Sequence, residues 1–480
     1  MRDILLKNGR LYDQHKASFF SGNLAISDGR IVSEYLLCSP KIIDCSDQFI
    51  LPAFRDAHIH FSHWIQFRNF VNLADCSTNQ LIEILKNHAH EKVIFACQWV
   101  PDFNLTEKLN YRTKLDKISY SPIVIYSKDL HSAWLNTAAF EQLGWLDYSE
   151  NEAERIIRDE SGKPTGIVQE IAVQEIAKIG ENLPRFSESD FEKAQMDCLK
   201  NGITSVISVE DEEGILLLDR QNLKIKIEYF LYDRYLEKIE NGWKPPQSEN
   251  IKFAGMKLFL DGSFGSSTAW LTEPYEKTNN CGVSLYSKTE LREKVRRVHK
   301  LGLPVMIHAI GDKAGNLATR ILLEESVGLP DRIEHFQIAN QDDFDKLTNS
   351  GITIGMQPSH LFHDKEKAEK TLGRKRMWHC YPVRSFSART KVQFGSDAPV
   401  VPINPMLNLS ACENIWNPAE RISRSDALAL STENGSLVLK ENDVANITIW
   451  EQSLFDLPAE KLLNCTPEKT ILSGEIVWTK

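Results

Sequence analysis

Apolar and polar residues alternate through the first fifty positions in three short runs, ILLKNGRLYD, GNLAISDGRIVSEY and KIIDCSDQFI. A period of two predicts strands, and the Asn8-Gly9 and Asp28-Gly29 pairs between alternating runs predict hairpin turns. The same texture returns only at the far end, in DVANITIW and TILSGEIVWTK. Both termini are therefore expected to build one small composite β-sandwich domain, with a larger domain inserted between them.

From about residue 185 the period lengthens. Phe191, Ala194, Cys198 and Leu199 fall at helical intervals after a Ser189 to Glu192 capping box, and Gly202 stops the helix before ITSVISV. Further strands are predicted at 226–232, 256–262, 304–310, 332–336, 352–357 and 392–397. Amphipathic helices are predicted at 288–301 (Leu291, Val295, Val298, Leu301) and 313–327 (Ala314, Leu317, Ala318, Ile321, Leu322). With the run ending at His60 the strands number eight, which closes a parallel α/β barrel of the (β/α)8 TIM-like kind. The count sets aside 75–184 as an insertion after strand 1. Its strand-like pieces VIFACQWV and PIVIYSKD leave open the alternative that it donates barrel strands. The expected organisation is 1–51 and 435–480 for the β-sandwich domain, 52–74 for the first barrel strand region, 75–184 for the insertion and 185–434 for the rest of the barrel.

Composition narrows the function classes. The 480 residues are 42% hydrophobic and 25% charged, the balance of a soluble globular protein. A net charge of -10 with pI near 5.8 offers no basic footprint for nucleic acid or an anionic membrane, so a small-molecule substrate is the expected partner. Self-association into a homo-oligomer is left open. Nine scattered cysteines without a CxxC argue for reduced thiols rather than a disulfide framework or zinc ribbon. The N-terminal run has no continuous apolar core of a signal peptide, and no stretch reaches the length of a membrane span. A cytoplasmic location is expected.

Candidate chemistry lies at the ends of the predicted barrel strands, where such barrels place active sites. His58 and His60 in FRDAHIHF share one face of strand 1 and can grip one metal ion. Lys257 stands on strand 4, His308 on strand 5, His335 on strand 6 and Asp397 on strand 8. Any one of these has a structural explanation: a core histidine, a His335–Glu334 contact, a turn aspartate at FGSDAP. Their joint order along the barrel points to a metal centre.

The segments LPAFRDAHIHF, DLHSAWLNTAAF, GIVQE, MKLFLDGSFGSSTAWL, MIHAIGDKA, RIEHFQ and FGSDAPV, in this order, resemble the amidohydrolase superfamily, in particular its "amidohydrolase 3" and N-substituted formamide deformylase-like branch. The resemblance covers nearly the whole chain. It implies a metal-bearing barrel with a composite β-domain, His58 and His60 on the more buried metal, and His308 and His335 on a second. It also implies Asp397 as last-strand aspartate and Lys257 as a carboxylated lysine bridging two ions. A protonated Lys257 paired with Asp261 is the alternative, and Glu170 is the rival acidic bridge. His131, in DLHSAWLN, is either a catalytic hydrogen-bond donor or a turn residue. Two departures stand out: Ala53 where PGF is usual, and Ser267 where an anion-binding arginine is common.

The function so implied is metal-dependent hydrolysis of a C–N bond, amide or N-formyl, in a small organic molecule. Hydroxide generated on one or two divalent ions, zinc first among them, would attack, with Asp397 moving the proton. The alternatives are a mononuclear deaminase on the same barrel and a non-catalytic binding or regulatory protein. Trp64, Phe67, Trp99, Trp134, Trp270 and Trp378 hint at an aromatic pocket or at packing.

Overall fold

The computed structural model describes residues 3–100, 111–146, 156–180 and 183–480. The chain divides into two compact units: Met1–Trp64 with Glu188–Asp261 and Trp270–Lys480, and Ile65–Ser187 with Gly262–Ala269.

The first unit holds eight parallel strands: β1 (Phe54–Ile59), β2 (Ile203–Glu210), β3 (Lys226–Tyr232), β4 (Ile251–Phe259), β5 (Val305–Ala309), β6 (Arg332–His335), β7 (Thr353–Met356) and β8 (Val392–Phe394). They pair in unbroken chain order from β1 to β8. Every strand the sequence predicted is present, and none comes from the insertion. The strands are apolar on both faces because helices cover the outside and side chains fill the inside. The helix Glu188–Lys200 that leads into β2 starts before the predicted capping box, so Ser189 sits in its first turn rather than at its cap. Its buried stripe is Phe191, Ala194, Cys198 and Leu199, as the periodicity required. The helix Lys288–Lys300 carries a capping box, Ser287 with Glu290, that fixes its start.

The same unit contains the composite β-domain. Strands Ile4–Asp13, Ser18–Ser27, Arg30–Val32, Lys41–Asp44 and Phe49–Pro52 join Ile447–Trp450, Lys469–Leu472 and Glu475–Thr479 in one hydrogen-bonded sheet. Asn8-Gly9 is no turn but a register shift inside the first of these strands, whose hairpin closes at residues 14–17, whereas Asp28-Gly29 does turn the chain between the second and third. The seam is Phe49–Pro52 against Ile447–Trp450, antiparallel. Its core is branched aliphatic, including Leu6, Ile26, Ile50, Ile447, Ile449 and Ile471. Ala53 follows directly, and its backbone lies outside the left-handed region while its N–H donates to Asn446 at 2.9 Å. No glycine is needed there, so the loss of the usual PGF costs the turn nothing.

The second unit is built on a six-stranded sheet that includes Ile94–Trp99, Ile123–Ser127, Ser132–Leu135 and Pro164–Gln169. Trp99 and Trp134 pack edge to face in its core at 4.2 Å between ring centroids, so these two indoles are packing residues. Among the described residues no helix is long and apolar enough to cross a membrane.

Candidate metal centre

β1 is buried along almost its whole length and leaves the barrel at His60. Period-two geometry puts His58 and His60 on one side, His58 fully buried and His60 nearly so. Asp397 stands three residues past β8. Its backbone N–H donates to the His58 carbonyl at 2.7 Å, which ties the last strand to the first and delivers the carboxylate to the histidines. His60 Nε2 lies 3.3 Å and His58 Nε2 3.5 Å from the same Oδ1 of Asp397. One ligand atom from each of the three falls within 4.8 Å of the others. Asp56 supports the corner, accepting from the Ser396 and His58 amides at 2.9 and 3.2 Å.

His335 and His308 extend the group. Their rings are 4.5 Å apart, and the His335 ring is 5.1 Å from that of His58. Asp397 and His335 both hold positive φ, 60° and 72°, a strained conformation for side-chain-bearing residues that clusters at functional sites. Lys257 is fully buried beneath them with its Nζ 5.0 Å from the Phe259 ring centre. Its amine has no hydrogen-bond partner among the described residues. The Asp261 carboxylate, the alternative partner, instead accepts from the amides of Trp270, Ile310 and Gly311 at 2.8 to 2.9 Å and lies 3.6 Å from His308 Nε2.

Electrostatics set the protonation states. Burial lowers His58 and, more strongly, His335, which His308 pushes further down, and a lowered imidazole favours the neutral form that can act as a ligand. Burial pushes Asp397 up, but the hydrogen bond from His60 and the surrounding histidines outweigh it and hold the carboxyl well below its usual range. Burial brings Lys257 down to about 8 against the pull of Glu334 and Asp397. A divalent cation fits this donor set. Three ligand atoms converge, an anionic carboxylate is among them, and His58 Nε2, His335 Nδ1 and Lys257 Nζ are buried without hydrogen-bond partners among the described residues. Buried nitrogens left in that state are costly unless something coordinates them.

The amidohydrolase family profile matches residues 41–478. The chain belongs to the amidohydrolase family. As a member it is 27% identical to the protein LONG AFTER FAR-RED 3 of Arabidopsis thaliana over 90% of this chain and 82% of that one. It is 25% identical to the N-substituted formamide deformylase of Arthrobacter pascens over 90% and 89%. An uncharacterised metal-dependent hydrolase from Pyrococcus horikoshii OT3, solved by crystallography, superposes with a TM-score of 0.77 at 26% identity, covering 95% of this chain and 99% of that one.

In this amidohydrolase-family chain the remaining sequence candidates fall in the second unit. His131 Nδ1 is 2.9 Å from Glu170 Oε2, and the His131 amide donates to Asp129. Asp129 also accepts from the hydroxyls of Ser127, Ser263 and Ser266, the last two from the short segment Gly262–Ala269. Ser267 sits in that segment at φ 56°.

Sequence reading missed several residues around the centre. Glu334 figured only as a contact of His335, yet its Oε2 lies 2.8 Å from His58 Nδ1, while Oε1 accepts from Arg332 at 2.7 Å. Arg332 also donates to Gln393 at 2.6 Å and the Ala57 carbonyl at 3.2 Å, bracing β6, β8 and β1 inside the barrel. The available signal was Gly355 on β7, where any Cβ would meet Glu334 Oε2 at 1.9 Å. Tyr232 places its hydroxyl 3.4 Å from His60 Nδ1, and His360 stands 4.0 Å from Asp397.

Proposed function

We propose that this chain hydrolyses a C–N bond, an amide or N-formyl group, in a small organic molecule at a divalent-metal centre held by His58, His60, Lys257, His308, His335 and Asp397. The observation that carries the reading is the convergence of His58, His60 and Asp397 within 4.8 Å at the C-terminal end of the eight-stranded parallel barrel sheet. The similarity to an N-substituted formamide deformylase supports the choice of bond.

One or two divalent ions, with zinc the first candidate, would supply a Lewis acid for the carbonyl and bring the acidity of a water near neutrality. Asp397, kept ionised, takes a proton from the attacking water and returns it to the leaving nitrogen. His60 and the β8–β1 backbone bond hold its carboxylate in place for both transfers. Glu334 holds His58 from behind, so the opposite ring nitrogen is the one presented to the cation. Lys257, with its amine brought down to about 8, has a neutral fraction open to carboxylation, which would add an anionic oxygen to the ligand set.

The test is metal analysis and turnover on purified protein with a panel of N-formyl and N-acyl amines. Stoichiometric metal, activity lost to a chelator and restored by zinc, and a fall of about 10²- to 10⁴-fold in Asp397→Asn are expected. Protein that holds no transition metal and loses nothing on chelation would overturn the reading.

A further inference from the structure

Trp378, unlike Trp99 and Trp134, belongs to no core and keeps 49% of its surface exposed. It lines a cleft of about 360 Å³ built from two segments of the first unit. The helix Leu361–Met377, which follows β7, contributes Lys365 and Glu369, four residues apart and therefore on one face. Gly373, at φ 73° and ψ 157°, breaks that helix, and the chain beyond the kink brings Arg374, Met377 and Trp378 to the same cleft. The segment after the helix Pro405–Glu413 adds Trp416 and Arg421.

Hydrogen bonds hold these walls from behind. Asn417 Nδ2 donates to the Trp378 carbonyl at 3.1 Å. Arg421 Nε donates to the Ile415 carbonyl at 2.9 Å, and the Arg421 carbonyl accepts from Arg384 Nε at 2.8 Å. Trp416 stands edge-on to Tyr381 with ring centroids 5.4 Å apart.

Charge in the cleft runs against that of the chain. Glu369 is taken up by Arg374 Nε at 2.7 Å, while Lys365 and Arg421 make no ion pair among the described residues. Three cations against one carboxylate leave a local positive excess in a chain of net charge -10. A concave surface of that sign gathers small anions. Indole faces in turn stack on planar rings, and a methionine thioether adapts to their outline. The volume lies at the lower end of the roughly 300–1,000 Å³ of small-molecule sites, room for one ring system with its charged group.

We propose that this cleft is an accessory binding site for a small aromatic anion, a planar ring bearing a phosphate or carboxylate. The ring lies against Trp378 and Trp416, and the anionic group meets Lys365, Arg374 and Arg421. No residue of the cleft belongs to the metal centre, so the site stands apart from the hydrolytic reading.

The experiment titrates the full-length protein, followed by tryptophan fluorescence and calorimetry, with adenosine monophosphate, indoleacetate, adenosine and inorganic phosphate. At least one of the two aromatic acids should bind with quenching, about tenfold or more tighter than adenosine or phosphate, each of which carries only half of the recognised chemistry. The tighter of the two acids tells phosphate from carboxylate as the preferred group. Lys365→Gln combined with Arg374→Gln, both at exposed positions, should raise the Kd by about tenfold, and Trp378→Ala should remove most of the quenching. Should Trp378→Ala melt early, the double variant alone decides. Binding of neither acid overturns the proposal, as does binding that the double variant retains in full, the mark of attachment elsewhere. A wild-type dimer that Trp378→Ala returns to monomer in sedimentation also overturns it, because a second copy then fills the cleft.

Discussion

The Asp397 amide donates to the His58 carbonyl at 2.7 Å, and with the His60 amide donating to the Ala398 carbonyl at 3.0 Å it ties the segment after the last strand to the first and brings two candidate ligands together. Gly395 makes the approach possible, since a Cβ at that position would meet the His58 amide nitrogen at 2.4 Å and its Cα at 2.8 Å. Backbone on the far side of the contact cannot yield as a flexible side chain would. Gly395→Ala is therefore expected to cost about 1–3 kcal/mol and to lower bound metal. Denaturant titration with metal analysis of the same preparation checks both parts.

Glu334 and Arg332 form a buried pair whose further partners are His58 on one side and Gln393 and the Ala57 carbonyl on the other. Removing the cation leaves an uncompensated buried carboxylate, so Arg332→Met should destabilise the fold by roughly 3–5 kcal/mol. Glu334→Gln keeps the shape while weakening the hold on His58. Its expected signature is a metal affinity lower by about 10- to 100-fold, read by competition with a chromogenic chelator.

The buried Lys257 amine predicts a dependence on carbon dioxide. Reconstitution in bicarbonate should load more metal per chain than reconstitution in carbonate-free buffer, and Lys257→Ala should lose the difference. Equal loading of the variant and the wild type, with turnover retained, would instead favour a single-ion centre held by His58, His60 and Asp397.

Glu210 offers a pH test of stability away from metal chemistry. Its carboxyl, pushed up to about 7 by complete burial despite hydrogen bonds from Ser208 and Ser62, ordinarily titrates near 4.5. Between those values the folded chain holds a proton the unfolded chain has released, so its contribution to stability is greatest below about 4.5 and declines as pH rises to about 7. The loss attributable to this group is roughly 3 kcal/mol across the interval. Metal-free wild type and Glu210→Gln, compared by urea denaturation at a series of pH values, should differ by this slope, which the glutamine variant lacks.

How much of this was legible in the sequence depends on the range of the interaction. The eight barrel strands, the terminal β-runs and the helix at 188–200 followed from hydrophobic period, because burying one face is a local constraint written into every second or every third and fourth residue. The ligand candidates His58, His60, His308, His335 and Asp397 were legible for the same reason, since each follows or ends a strand whose position the pattern gave. Local sequence also set the glycine stop at Gly202, whereas the capping box it predicted at Ser189 falls inside the first turn of the helix.

Tertiary structure decided what crosses the barrel. Glu334 behind His58, Arg332 bridging three strands, and the stacking of Arg234 between Tyr232 and Tyr235 all join residues whose spacing in sequence carries no period. It also placed His131 with Glu170 and Asp129 in the second unit, and left Asp261 with backbone amides rather than with the Lys257 amine. A one-dimensional pattern reports which face a side chain must bury. Which charge it meets there is fixed only when the strands close into a ring and bring residue 397 back to residue 58.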